Sequence, residues 1–389
     1  MSTRSGRYAR SPPSVLLAFD SFKGTLTARE ACSAAADGIR DVAPKVRLHL
    51  QPLADGGEGS ASVIADALGG SWVKTEATHP TGRTRRTADW LRLPDSSPPH
   101  PDAVVEMARA SGLTLVAPSQ RDPLRATSYG TGELLLAAAR AGARRVWLTL
   151  GGSATVDGGT GAASALGWRF LDRAGRPIPP GGDGLRSLER IDPPARPLDA
   201  RVTALHDVDH PLLGPRGAAA VFGPQKGAGP VEVDLLERGL ERLADRITRD
   251  LGLDVSNLVG AGAAGGLGAG AVAFLGGSLE PGIDRIIDVT PFERLLGGAD
   301  WVMTGEGRLD ATSFRGKVVG AVAARAAAAT VRLAVLAGDL ALSPADVRER
   351  GVEWVAGLIG PAVPVAEARQ DAARYLREAA RSFAQERLV

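Results

Sequence analysis

Carboxylates and lysines recur beside glycine in this chain, each time just after a stretch that reads as a strand. Asp20 with Lys23, Asp55 with Glu58, Ser153 with Asp157, Asp207 alone, and Glu306 with Asp310 all fit that description. In open α/β sheets, ligands bind beyond the carboxyl ends of the strands. Loops of this composition offer ammonium groups and bare backbone N–H groups for phosphate oxygens. They also offer carboxylates, which hold Mg²⁺ through few ligands or accept a hydroxyl proton. That mixture suits phosphoryl transfer. Taken singly, each loop reads as a tight turn with a helix cap; five of them in one chain tip the balance. Lysine usage points the same way. Only five of the 46 basic residues are lysines, and three of those five, Lys23, Lys226 and Lys317, adjoin a glycine.

The elements that must carry these loops alternate. Val15 to Phe19 reads as a buried strand, and Thr27 with Glu30 forms a capping box opening a helix to about Arg40. A strand over 46–53, the loop 54–59 and a helix closing at Gly69-Gly70 follow. Strands are expected over 71–79, 84–93, 103–108, 146–150 and 202–205, with a proline-rich loop over 94–101 and helices over 132–141 and 233–251. The glycine-rich stretch Gly260 to Gly270 leads into an apolar helix. Strand–helix alternation returns at 301–304, 317–328, 331–337 and 352–359, and a largely helical segment over 364–388 closes the chain. The pattern predicts an α/β protein of two domains. A Rossmann-like parallel α/β domain is built from both chain ends (14–80 and 290–389), and an inserted mixed α/β domain spans 81–289. Residues 1–13 read as a disordered tail.

Bulk properties narrow the function classes. The chain has 389 residues and a formal net charge of +2. Its basic clusters, such as Arg83, Arg85 and Arg86, are too short for a polyanion-binding stripe, so nucleic acid is not an expected partner. No apolar run reaches the roughly 18 residues of a membrane span. The single cysteine, Cys32, allows no intrachain disulfide, which fits a cytoplasmic protein. The sequence leaves a homo-oligomer open.

Two motifs compete with the phosphoryl-transfer reading. Gly260-Ala261-Gly262-Ala263-Ala264-Gly265 matches the dinucleotide fingerprint, with Glu280 about twenty residues on. The stretch before it is a poor buried strand, however, and Pro281 breaks the expected second strand. A glycine-rich helix start that binds an anion, or that packs closely, is the better reading. His206-Asp207-Val208-Asp209-His210 resembles a metal cluster, but Pro211 follows at once and no third strong ligand lies near, so a strand-end turn with one working aspartate is preferred over zinc. No Walker A is present, because Gly316-Lys317 is followed by Val318.

The loops also carry a family resemblance. Asp20-Ser21-Phe22-Lys23-Gly24, Ala54 to Gly59, Thr127 to Leu134, Gly151 to Gly159, Asp207 to Gly214, Val221 to Ala228, Gly260 to Gly268 and Thr304 to Asp310 stand in the order found in the bacterial type I glycerate kinase family. The chain resembles that family from about residue 15 to the end. The resemblance implies transfer of the ATP γ-phosphoryl group to D-glycerate with Mg²⁺, giving 2-phosphoglycerate, in a cleft between two α/β domains. A 3-phosphoglycerate product is the alternative within this reading. From other classes, the rivals are an NAD(P)-dependent hydroxy-acid oxidoreductase and a non-catalytic small-anion sensor.

The resemblance also suggests roles. Asp20, Lys23, Asp55 and Asp207 are the catalytic candidates, with one of the three aspartates as general base. Ser21, Lys23, Glu58 and His210 are candidates for the substrate. Gly151, Gly152, Ser153, Lys226, Gly262, Gly265, Gly266 and Lys317 are candidates for the ATP phosphates, and Glu306 and Asp310 for the metal. Two departures from the family pattern bear on substrate affinity and choice: His210 stands where asparagine is usual, and Ala311-Thr312 replaces a stretch that commonly carries glutamine.

Overall fold

A computed structural model describes residues 12–94, 100–360 and 365–389. The expected tail lies outside the described residues except for its last two, as do most of the proline-rich 94–101 loop and the Pro364 start of the closing helical segment. The chain forms two compact units, Met1–Leu53 with Pro291–Val389, and Ala54–Thr290.

The first unit is built on a five-stranded, wholly parallel sheet. Its order is Val352–Gly357, Arg332–Leu340, Trp301–Leu309, Ser14–Leu17, Arg47–Leu50. The inner strand Ser14–Leu17 is buried along its whole length, as a strand covered on both faces must be. Helix Ala28–Arg40 lies against helix Ala372–Arg387. Gly38 makes that approach close, because a Cβ there would overlap the Arg377 carbonyl. Phe383 wedges edge-on between Trp301 and Trp354, with centroids 5.0 and 5.3 Å away. The expected capping box is present: Thr27 Oγ1 accepts from the Glu30 N–H, and the Thr27 N–H donates to Glu30 Oε2 at 2.8 Å. Thr27→Ala is expected to lower stability by about 1 kcal/mol, measured as a shift of the urea midpoint at unchanged m-value.

The second unit carries a six-stranded mixed sheet, ordered Ser278–Pro281, Arg201–His206, Arg145–Leu150, Ala103–Glu106, Arg85–Arg92, Ser71–Thr78. The first four strands run parallel and the last two are antiparallel additions. Helix Pro230–Leu251 starts with proline in its first turn and stops at the left-handed Gly252. A small hairpin, Arg169–Leu171 with Arg190–Asp192, completes the unit.

Several boundaries differ from the sequence expectation, each for a physical reason. Residues 54–80 fall in the second unit rather than the first, since Ser71–Thr78 pairs along its full length with Arg85–Arg92. Pro281 does not abolish a strand. It ends one, Ser278–Pro281, at the sheet edge, where a missing N–H is tolerated. The closing segment is two helices, Val365–Gln370 and Ala372–Arg387, interrupted at Asp371. The hairpin and the short helices Thr160–Ala165, Gly282–Asp288 and Phe292–Leu296 were not expected, being too short to show a period. Among the described residues no helix is long and apolar enough to cross a membrane.

Candidate active site

In the first unit, the candidate residues gather where two neighbouring parallel strands end. The strands Ser14–Leu17 and Trp301–Leu309 are adjacent, so the loops they feed emerge side by side. The Asp20 N–H donates to the Gly305 carbonyl at 3.1 Å, and Asp20 Oδ1 accepts from the Ser21 N–H at 2.6 Å. The Lys23 backbone runs past Gly307, where a Cβ would lie 3.6 Å from the Lys23 nitrogen. Glu306 is buried, with the exposed Lys23 and the half-buried Lys317 in the adjoining loops. Lys317 Nζ lies 3.9 Å from Glu306 Oε2, just before helix Val318–Ala329. Asp310 caps the turn Ala311–Phe314, accepting from the Thr312 N–H and hydroxyl at 2.8 and 2.6 Å. Burial pushes the Asp310 carboxyl up. The Thr312 donors, Lys317 and Arg308 outweigh that and hold it below the usual carboxylate range. Arg308, to which the sequence reading gave no role, stands 3.9 Å from Asp310 and 3.1 Å from Asp339.

The second unit assembles a different group. Asp55 is buried, and its Oδ1 accepts from the Gly57 N–H at 3.1 Å. A Cβ on Gly57 would lie 3.0 Å from Asp55 Oδ1 and 3.9 Å from Asp207 Oδ2, so both carboxylates face this one glycine. Gly151 packs on the same spot: a Cβ there would be 2.5 Å from Gly57 Cα and 3.2 Å from the Glu58 nitrogen. Glu58 reaches Gly152, whose own Cβ would lie 3.1 Å from Glu58 Oε2. The loops holding Asp55, Glu58, Gly151, Gly152 and Asp207 thus form one cluster.

Behind that cluster lies a buried polar layer. Lys226 is 2% exposed and donates from Nζ to Ser153 Oγ and to the Thr155 carbonyl, both at 2.7 Å. Burial pulls its ammonium down to about 7, with the Asp157 charge working against the shift. Asp157 is buried completely. It accepts from the Ser128 N–H and hydroxyl, both at 2.8 Å, and from the Gly159 and Gly161 N–H groups. Burial pushes its carboxyl up against those donors. Gly265 and Gly266 press on the same loop from the other side. A Cβ on Gly265 would overlap the Thr155 carbonyl oxygen, and one on Gly266 would lie 2.9 Å from Gly158 Cα. Gly262 packs likewise on the Pro211 carbonyl. Glu106 is a further buried carboxylate, accepting from the Gly59 and Ala61 N–H groups at 3.0 and 3.2 Å where helix Ser60–Leu68 begins. Burial raises it, opposed by Arg109 and those N–H groups.

Some candidates land elsewhere than the sequence suggested. Lys226 braces a loop from beneath instead of presenting its charge at the surface. His210 binds the Arg216 carbonyl through Nδ1 at 2.8 Å and packs edge-on against Phe222. The His206 ring lies under Gly260, and Asp209 pairs with Arg216 at 3.1 Å, so the His-Asp-rich turn sends its side chains apart. Among the described residues no group of three or more His, Cys, Asp or Glu is placed to hold a metal ion. The fingerprint glycines lack the preceding strand, since residues 252–259 contain none. Sequence reasoning missed Glu106 entirely; its only signal was a lone carboxylate ending an apolar strand.

Phosphoryl transfer asks for little covalent chemistry from a protein and much placed charge. Both units supply that charge on loops at the ends of parallel strands, and the class this defines is the small-molecule kinases. Residues 15–387 match the profile described as the glycerate kinase family, and the chain belongs to that family. It is 41% identical over 375 residues to a glycerate kinase of Halalkalibacterium halodurans, spanning 95% of this chain and 97% of the relative. It is 37% identical to the glycerate 2-kinase of Escherichia coli K12, with 95% and 97% covered. A crystal structure of a protein assigned as glycerate kinase 2 from Salmonella typhimurium LT2 superposes with a TM-score of 0.77 at 39% identity, covering 96% of this chain and 98% of that one.

Proposed function

We propose that this kinase transfers the γ-phosphoryl group of ATP to D-glycerate in the cytoplasm, with Mg²⁺, and that the product is 2-phosphoglycerate. The observation that carries the reading is the near-full-length identity to glycerate kinases, a glycerate 2-kinase among them. Lys23, exposed on its loop, provides a cation for the glycerate carboxylate. A carboxylate anchored there leaves the adjacent 2-hydroxyl as the nearer nucleophile. Asp20, Asp55 and Asp207 are the groups that can take its proton as the bond to phosphorus forms. Glu306 and Asp310 fit the metal chemically: both are oxygen donors, Glu306 within strand Trp301–Leu309 and Asp310 just past its end, and Asp310 is held below the usual carboxylate range. Mg²⁺ needs only one or two carboxylates, with water and phosphate completing its shell. Its chemistry there is to neutralise charge on the phosphate oxygens. Lys317, 3.9 Å from Glu306, adds a second positive charge to that end of the sheet.

The test is a coupled assay with ATP, Mg²⁺ and D-glycerate, followed by phosphorus NMR of the product. A 2-phosphoglycerate resonance that requires the metal is the expected result. A 3-phosphoglycerate resonance would correct the regiochemistry alone. ADP release without either product would assign a different hydroxy acid as acceptor and draw attention to His210 and Thr312. No ATP consumption would overturn the proposal, and oxidation of NAD(P)H in its place would make the enzyme an oxidoreductase.

A further inference from the structure

The contact between Lys226 and Ser153 fixes a direction as well as a distance. In its protonated form Lys226 can only donate hydrogen bonds, so Ser153 Oγ then accepts from Lys226 Nζ at 2.7 Å. Its own proton is therefore turned away from Lys226. Among the described residues Ser153 Oγ donates no hydrogen bond. The second Lys226 bond, to the Thr155 carbonyl at 2.7 Å, holds the ammonium in place so that it cannot swing outward. Asp157 and the glycines at 265 and 266 pin the same loop from its other sides. A hydroxyl that accepts from a cation becomes a stronger donor, because hydrogen bonds in a chain polarise one another. Ser153 is 5% exposed, and its neighbour Gly152 is open to solvent. Bare backbone on one side and a polarised hydroxyl on the other are what an anionic oxygen requires.

We propose that Lys226 is a positioning residue that sets the Ser153 hydroxyl as a fixed donor to an anionic oxygen of the ligand, and that it does not touch the ligand itself. The anionic oxygen belongs to a nucleotide phosphate or to the acceptor's carboxylate. The inference rests on the kinase reading, and it deepens that reading by giving the loop after strand Arg145–Leu150 a defined contact. It also accounts for a lysine in so arginine-rich a chain: a compact ammonium meets a hydroxyl and a carbonyl in a space that a planar guanidinium fills differently.

The experiment is calorimetric titration of the full chain with ATP, with adenosine and with D-glycerate, for the wild type, Ser153→Ala, Lys226→Met and the double variant. Ser153→Ala is expected to weaken one of the two anionic ligands about tenfold or more and to leave adenosine unchanged. Loss of ATP affinity assigns the oxygen to phosphate, and loss of glycerate affinity assigns it to the carboxylate. Lys226→Met should weaken the same ligand, and the double variant should lose no more than the worse single one, because the two residues act as one unit. If Lys226→Met does not fold, Lys226→Gln replaces it, with the same ligand expected to weaken severalfold. A merely structural lysine would weaken adenosine along with ATP. Unchanged anion affinity in Ser153→Ala, or losses that add in the double variant, would overturn the inference while leaving the kinase reading standing. A wild-type chain that binds neither ATP nor D-glycerate would remove the kinase reading first, and this inference with it.

Discussion

Asp207→Asn is expected to lower kcat for glycerate phosphorylation by about 10²–10⁴-fold, the range supplied by a general base, with little change in KM. Asparagine keeps the shape of the side chain and loses only the capacity to take a proton. The choice among the three aspartates follows from their exposure. Asp55 is 3% exposed and spends Oδ1 on the Gly57 N–H, so its carboxylate shapes its own loop. Asp20 is 5% exposed and holds the Ser21 N–H in the same way. Asp207 is only half-buried and presents Oδ2 towards Gly57 beside Asp55. A base must reach a hydroxyl that arrives from outside, and Asp207 is the most accessible of the three. Asp55→Asn and Asp20→Asn should cost less, since an amide oxygen can still accept the Gly57 or Ser21 N–H. Steady-state kinetics on the three variants decide the matter. Near-normal turnover in Asp207→Asn with collapse in one of the others would move the base there. Normal turnover in all three would remove the aspartates from the chemistry.

Much of the frame was legible because it rests on local rules. Thr27 and Glu30 announce a helix start through their spacing alone, and the structure has that box. The run Val15 to Leu17 is apolar without alternation, as an inner parallel strand must be, and its residues are buried completely. Gly252 ends a long amphipathic helix in the left-handed conformation that glycine adopts freely. The loops were legible as a set for the same reason, being glycine-flanked polar residues after apolar runs.

What sequence could not give is the side from which each polar group is approached. Lys226 beside Gly227 looks the same in the sequence as Lys23 beside Gly24, yet one is buried under Ser153 and Thr155 and the other is exposed. That distinction depends on contacts more than seventy residues apart. Glu106 faces the same difficulty: it caps the helix Ser60–Leu68 from a strand that lies well beyond it in the chain. The unit boundary at Leu53 was hidden because residues 47–50 and 71–78 both read as strands. Only pairing separates them, and pairing partners are non-local.

The fingerprint glycines show the same limit, and they carry the largest stability prediction. Gly265→Ala is expected to destabilise the 54–290 unit by about 2–5 kcal/mol, combining a disfavoured backbone conformation with overpacking. Residues 264–266 form a left-handed run, with φ of 53°, 69° and 88°, before the helix proper continues. At Gly265 the missing Cβ is what lets the run lie on the Thr155 carbonyl, and that carbonyl is backbone and cannot turn aside. The same oxygen accepts from Lys226, so displacing it also disturbs the buried ammonium. Gly276→Ala separates the two contributions. Gly276 has φ of 58° at the end of that helix, but nothing lies within 4 Å of its Cβ position. It should cost only the conformational part, about 1–2 kcal/mol. Urea denaturation of both variants gives the comparison. Equal shifts in midpoint would mean that the stretch relaxes around a methyl group. The glycine at 265 would then be kept for access to a ligand and not for packing against the loop that holds Ser153.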